Sequence, residues 1–216
     1  MAERPVFVPT DHGAQMVQEI AIEFAWHPGV APSQKKKNIA ALHEAAANRG
    51  LSPLLEISSK SEIELGRQLS AFNLKVRIEG RETTLECAFQ GSKVFERGGP
   101  YEDIYWMDSR SARQDPRLRQ SGHLRAFHLE HKEYPLSPST AFYDWLYLNA
   151  LFAQPKWIDG LQGYAGFTDI EFNPQKSLNC QARSCATVMG LFRRGVLEDA
   201  TEAFEVFQSF LQPSAI

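Results

Sequence analysis

Phe72-Asn-Leu-Lys-Val-Arg-Ile78-Glu-Gly80-Arg-Glu-Thr83-Thr-Leu-Glu86-Cys-Ala-Phe-Gln90-Gly-Ser-Lys93-Val-Phe95 is the stretch whose reading decides the fold. Its first third alternates apolar and polar residues with period two, which predicts a strand over 72–78. Glu79-Gly80 is a turn signal. The remainder predicts a helix over 84–96, with Thr83 and Glu86 spaced as a capping box. On that helix Glu86, Gln90 and Lys93 would share one stripe, with Lys93 about 10 Å along the axis from Glu86. Long helical side chains lean toward the N-terminus, so the amine would swing back toward the carboxylate. Across the chain helix dominates and strands are few, which predicts an α+β protein.

Working outward, Val6-Phe7-Val8 reads as a short strand or coil, and Ile20–Phe24 as a second apolar stretch. Ser33 is placed to cap a helix running to Asn48, with Ile39, Leu42, Ala46 and Ala47 as its apolar stripe and Gly50 as its stop. A short helix is expected over Lys60–Leu69, capped by Ser61. After the Gly98-Gly99-Pro100 break, Asp115-Pro116 opens another, which stops near Gly122. Ser137-Pro138 opens an aromatic amphipathic helix to Phe152. Asn173-Pro174 precedes a helix over 175–194 that Gly195 ends, and a last helix covers 197–211. Helix dominates this pattern, so the expectation is one domain over 1–216 with a mainly helical body and a small β component.

The bulk properties narrow the function. A chain of 216 residues with 43% hydrophobic and 23% charged residues is that of an ordinary folded protein. No apolar run approaches a membrane span, so no membrane partner is expected. Cys87, Cys180 and Cys185 are odd in number and not spaced as a disulfide framework, which fits a reducing cytoplasm. A net charge of −3 argues against coating nucleic acid by charge alone. Two basic clusters stand out locally, Lys35-Lys36-Lys37 and Arg110, Arg113, Arg117, Arg119 and Arg125. Each reads either as a solvated face or as a phosphate-contacting surface.

No phosphate-binding glycine loop and no serine–histidine–aspartate signature occurs. His128-Leu-Glu-His131 has the wrong spacing for a zinc helix, and Cys180 and Cys185 have no second pair, so no metal and no redox cofactor is implied. Tyr143, Trp145, Tyr147 and Phe152 read first as core. Asp144 among them needs a buried partner. Asp169 and Glu171 follow Gly166 on an expected loop, where paired acids are usually solvated.

Leu69-Ser70-Ala-Phe72-Asn73, a strand, and then Glu86-x3-Gln90-x2-Lys93-x-Phe95 resemble the NADAR family of ADP-ribose-related N-glycosidases. Phe167-Thr-Asp169-Ile-Glu171-Phe-Asn173 and Asn179-Cys-Gln-Ala-x6-Met189 extend the likeness, over roughly residues 24–200. Ala88–Glu96, Phe142–Tyr147 and Thr168–Pro174 look like the branch found as antitoxins beside DarT-type DNA ADP-ribosyltransferases. Ala71 stands where many members have asparagine, and Phe167 where tryptophan is common. The resemblance implies hydrolysis of the bond between ADP-ribose and a guanine base of DNA or RNA, releasing ADP-ribose, with a DarT-type toxin as possible partner. Lys93 would be the covalent nucleophile, through a Schiff base, and Glu86 the proton shuttle. Gln90, Ser70, Asn73, Asp169 and Asn179 would position substrate. Thr83, at the helix start, would help hold the pyrophosphate. Tyr101, Trp106 and Tyr164 would supply an aromatic wall. Two alternatives are a small-metabolite N-glycosidase, for instance on a riboflavin-pathway intermediate, and a non-catalytic module that binds ADP-ribose or the toxin.

Overall fold

The computed structural model describes residues 1–175 and 177–211. The chain opens with a hairpin, β1 (Ala2–Pro9) against β2 (Val17–Phe24), paired along all eight residues of each strand. The expected strand or coil at Val6–Val8 is therefore the centre of a full strand. Sequence alternation hides it because both faces of β1 are covered. Val6 packs with Ile22, Phe24 and Leu54 in one cluster, and Phe7 with Leu55 and Phe167 in another.

Helix α1 (Pro32–Ala47) covers the smaller face through Ile39, Leu42 and Ala46; Ala47 is exposed. Pro32 occupies its first turn, and Ser33 lies inside the helix rather than capping it. β3 (Leu54–Glu56) follows. α2 (Glu64–Gln68) is shorter than expected, because the Ser61 hydroxyl accepts from the Ile63 N–H at 3.3 Å and holds a turn ahead of it. β4 (Lys75–Ile78) and β5 (Arg81–Thr84) form a hairpin across Glu79 and Gly80, both at positive φ (50° and 77°). The strand begins later than Phe72 because the N–H groups of Asn73 and Leu74 both bond to the Ser70 carbonyl at 2.8 Å, closing a turn.

The central correction is α3, which spans Leu85–Gly91 and not 84–96. Tyr105 and the Tyr101 carbonyl crowd Gly91, and the His128 N–H takes the Ser92 carbonyl at 2.7 Å. The chain leaves the helix there as β6 (Lys93–Phe95), the edge of a three-stranded sheet with β7 (Leu124–Leu129) and β8 (Lys132–Tyr134). A 3-10 turn (Glu102–Trp106), α4 (Ser109–Gln114) and α5 (Arg117–Gln120) fill the excursion between β6 and β7.

α6 (Ala141–Phe152) starts three residues after Pro138 and carries the aromatic core: Phe142 stacks on Phe127 at 4.5 Å, and Tyr147 donates to the Leu69 carbonyl at 2.8 Å. α7 (Pro155–Leu161) leads into β9 (Gly166–Thr168), which lies parallel to β3 and antiparallel to β1 and completes the sheet order β2-β1-β9-β3. The helix expected from residue 175 begins only at Gln181, as α8 (Gln181–Arg193). The last helix is two, α9 (Leu197–Glu202) and α10 (Phe204–Leu211), parted by Ala203 in extended conformation. The fold is α+β, with nine short strands among the described residues where the sequence showed few.

Gly190 seats α8 against the Met16 carbonyl in the β1–β2 connection, where a Cβ would clash with backbone. Gly190→Ala should therefore lower stability by roughly 1–3 kcal/mol. Gly163→Ala, with open space around it, should stay within about 0.5 kcal/mol of wild type. Urea denaturation of both variants measures the contrast.

Candidate active site

α3 and β6 meet at the wall of a cavity of about 720 Å³. Thr84, not Thr83, caps α3, its hydroxyl accepting from the Cys87 N–H at 3.3 Å and pairing with Ser109 Oγ at 2.8 Å. The Thr83 hydroxyl turns away and donates to the Tyr105 carbonyl. The expected capping box is absent, which leaves the Glu86 carboxylate free to face the cavity.

Glu86 and Gln90 lie one helical turn apart, and the Gln90 amide donates to Glu86 Oε1 at 2.9 Å. Lys93 enters from the strand, and its ammonium donates to Gln90 Oε1 at 2.7 Å. These two bonds fix which way the Gln90 amide points. Lys93 Nζ also sits 4.6 Å from the centre of the Phe89 ring. Burial is the largest influence on this amine and lowers its pKa to about 8; Glu86 acts to raise it and Arg113 to lower it. Burial pushes the Glu86 carboxyl up, opposed by the Gln90 hydrogen bond and by Arg113 and Lys93. One wall thus carries an amine that can lose its proton near neutral pH and a carboxyl able to hold one.

Another part of the lining, Asp169, directly follows β9, whose parallel pairing with β3 places Glu56 beside Thr168. Glu56 accepts from Ser58 Oγ and Thr168 Oγ1, both at 2.7 Å, and from the Ile170 N–H at 2.9 Å. Because Thr168 gives its proton to Glu56, the 2.8 Å contact from His43 Nε2 makes that nitrogen the donor. Burial holds His43 neutral, with its pKa lowered to about 4. Asp169 lines the cavity, only 8% exposed, and burial first and Glu56 second push its carboxyl up. It is not the solvated loop acid expected; Glu171 is closer to that, half-exposed and paired with Lys35 at 3.0 Å. Gln181 bonds to Asp169 and accepts from the Ala71 N–H at 2.8 Å, so the backbone at Ala71 contributes where an asparagine side chain is common.

Ser70 and Asn179 also line the cavity, and Asn179 Oδ1 is buried with no partner among the described residues. Asn73 does not: its amide donates to the Arg67 carbonyl at 2.8 Å. Tyr101 stands behind α3, its hydroxyl paired with Ser121. Trp106 lies outside, with the Arg81 guanidinium 3.8 Å from its ring centre. Tyr164 packs against the core, and Phe167 is wholly buried in the sheet. The aromatic surfaces in the cavity are instead Phe72, Phe89, Phe127, Tyr143 and Phe172. Asp144 has its buried partner in Ser184, and Cys180 and Cys185 are buried thiols. Among the described residues no group of three or more metal-binding side chains converges, and no helix is long and apolar enough to cross a membrane.

Gln181 is a cavity residue that sequence reasoning missed, and so is Glu56, which bears on the site through Asp169 without lining the cavity; Arg113 lines it and was legible only as part of the basic cluster. Glu56 had a signal: an acid at the end of Leu54-Leu55-Glu56-Ile57 is a charge in a wholly apolar run and requires partners.

An α+β body of small sheets thus carries a carboxylate–amide–amine chain and a buried acid, Asp169, around one cavity of mixed polar and aromatic lining. The chain belongs to the NADAR-DarT1 family: the model of the DarT1-associated NADAR antitoxin matches residues 2–216, so β1 and most of β2, outside the 24–200 span, are part of the family unit. No curated protein matches the chain.

Glu86 opposes the lowering of the Lys93 pKa, so Glu86→Gln should shift that pKa further below 8. Lysine-selective NMR titration reads the shift. Between about pH 8 and 10.4 the unfolded chain binds the proton that folded Lys93 has released, so stability should rise with pH across that window.

Proposed function

We propose that the protein is an ADP-ribosyl-guanosine glycohydrolase that removes ADP-ribose from guanine bases of nucleic acid and so acts as antitoxin to a DarT-type transferase. The observation that carries this reading is the half-buried Lys93 amine, joined through Gln90 to Glu86 in a cavity large enough for a nucleotide-sized ligand. Neutral Lys93 Nζ attacks the anomeric carbon, the bond from that carbon to the guanine nitrogen breaks, and the departing nitrogen takes the proton of Glu86. The Glu86 carboxylate then takes a proton from Nζ and passes it to the ring oxygen as the ring C–O bond opens, which gives an imine at Nζ. Water adds to the imine carbon, losing a proton to Glu86, and the carbinolamine so formed collapses, its hydroxyl proton passing to Nζ, to release free ADP-ribose and the neutral amine. Asp169, aided by Asn179 and Ser70, binds ribose hydroxyls.

Gln90 resolves a conflict in this scheme. A carboxylate in direct contact would keep the amine charged. An intervening amide presents a neutral acceptor to Lys93 and keeps Glu86 within reach of the leaving group.

The test is incubation with guanine-ADP-ribosylated single-stranded DNA and borohydride. Wild type should acquire the mass of reduced ADP-ribose on Lys93, and Lys93→Ala should acquire none and release no ADP-ribose. Glu86→Gln should slow release by about 10²–10⁴-fold. Equal release by wild type and Lys93→Ala rejects the mechanism.

A further inference from the structure

The basic cluster of residues 110–125 is not one surface. Arg117 is held by Asp103 at 2.6 Å and Asp115 at 2.8 Å, and Arg125 by Glu96. Arg110 and Arg113, three residues apart on α4, are exposed, and among the described residues neither has a carboxylate partner. Spacing of three places their side chains on adjoining positions of one helix face. Arg113 also lines the cavity, close enough to influence both Glu86 and Lys93. The same segment begins with Trp106 and Met107, 38% and 37% exposed, with Arg81 lying over the indole. The acid within it, Asp108, is occupied: its carboxylate accepts from the N–H groups of Arg110 and Ser111 at 3.1 and 3.0 Å and caps α4. Arg113 on the cavity wall, Arg110 beside it on α4 and the partly exposed Trp106, with Arg81 over its ring, therefore share one short segment next to the cavity.

We propose that the surface from Trp106 to Arg113 is a track for single-stranded nucleic acid, with Arg113 and Arg110 gripping successive phosphates beside the nucleotide in the cavity and Trp106 stacking on a base. This rests on the reading that the substrate is a modified guanine within a strand. A base must leave the duplex stack to enter a cavity. A single strand needs only a cationic path and a ring to stack on. The protein is acidic overall, with a net charge of −3, so steering of a polyanion has to come from a local patch.

The test is fluorescence anisotropy with an unmodified labelled oligodeoxynucleotide, a readout that does not need the reaction. Wild type should bind with a salt-dependent Kd. Arg110→Gln/Arg113→Gln should weaken binding roughly tenfold at low salt and reduce the log–log salt slope by about 1.4, near 0.7 per phosphate contact. Trp106→Ala should weaken binding about fivefold or more with the slope kept. Arg110→Gln should raise KM for an ADP-ribosylated oligonucleotide while hydrolysing ADP-ribosylated free guanosine at the wild-type rate. Unchanged Kd and slope in the double variant overturns the track. So does loss of toxin binding in a co-expression pull-down with oligonucleotide affinity intact, which would make the surface a protein interface. If wild type binds the oligonucleotide as described yet hydrolyses neither substrate, the track stands and the glycohydrolase reading falls.

Discussion

The site depends on the hydrogen bond between the Lys93 ammonium and the Gln90 side-chain carbonyl. An ammonium taken out of water loses hydration that only a few groups can replace. Here they are one neutral oxygen, the face of Phe89, and a carboxylate held one amide away. That supply is enough to seat the amine and too little to keep its pKa at the value of a solvated lysine. The geometry follows from where α3 stops. Were the helix to continue past Gly91, Lys93 would ride on it; because the Ser92 carbonyl is claimed by His128, the chain turns into β6 and brings the amine onto the amide from outside the helix.

The part of the lining around Asp169 obeys the opposite electrostatics. Glu56 and Asp169 emerge at the same end of two parallel strands, so the sheet itself forces two acids together. Three donors converge on Glu56 while burial works against its charge. A carboxyl whose pKa rises on folding holds a proton that the unfolded chain gives up from about pH 4 upward, so this pair contributes less stability as pH rises through that range. Such a cost at a cavity wall is the usual signature of a site shaped for ligand rather than for stability. It also explains the neutral His43 behind Thr168: the network needs a donor there, not a second charge.

How much of this was legible varied with the range of the interactions involved. The hairpin at Glu79-Gly80, most of the apolar stripe of α1 and the stop at Gly195 are local and read directly. The trio Glu86, Gln90 and Lys93 was legible as a trio, but its geometry was not. Seven residues fit two helical turns equally well on paper, and only the pairing of Lys93 with Phe127 in β7 reveals the strand. The three-residue strands β3, β6, β8 and β9 exist through partners distant in sequence and leave no periodic trace. Thr83 and Thr84 illustrate a one-residue ambiguity of caps, since both carry the hydroxyl a cap needs and Ser109 decides between them. Glu56 was passed over because pattern reading treats an acid at a strand end as solvent-facing.

Charge allocation explains why an acidic protein can still present a basic path. Lys35, Lys36, Arg117 and Arg125 are each engaged by acids, so they add little field at a distance. The same pairing fixes the loop around α5, because Arg117 ties Asp103 on the 3-10 turn to Asp115 at the end of α4. That bracing flanks α4, whose own Arg110 and Arg113 have no carboxylate partner among the described residues. An exposed cation steers a ligand only if its counter-charge comes from the ligand; Arg113 lines the cavity, and Arg110 is exposed one turn away on α4. The chain thus pairs its acids with the arginines that build the scaffold and, among the described residues, leaves Arg113 without a carboxylate partner beside the Lys93 amine, which is the distribution a polyanionic substrate would require.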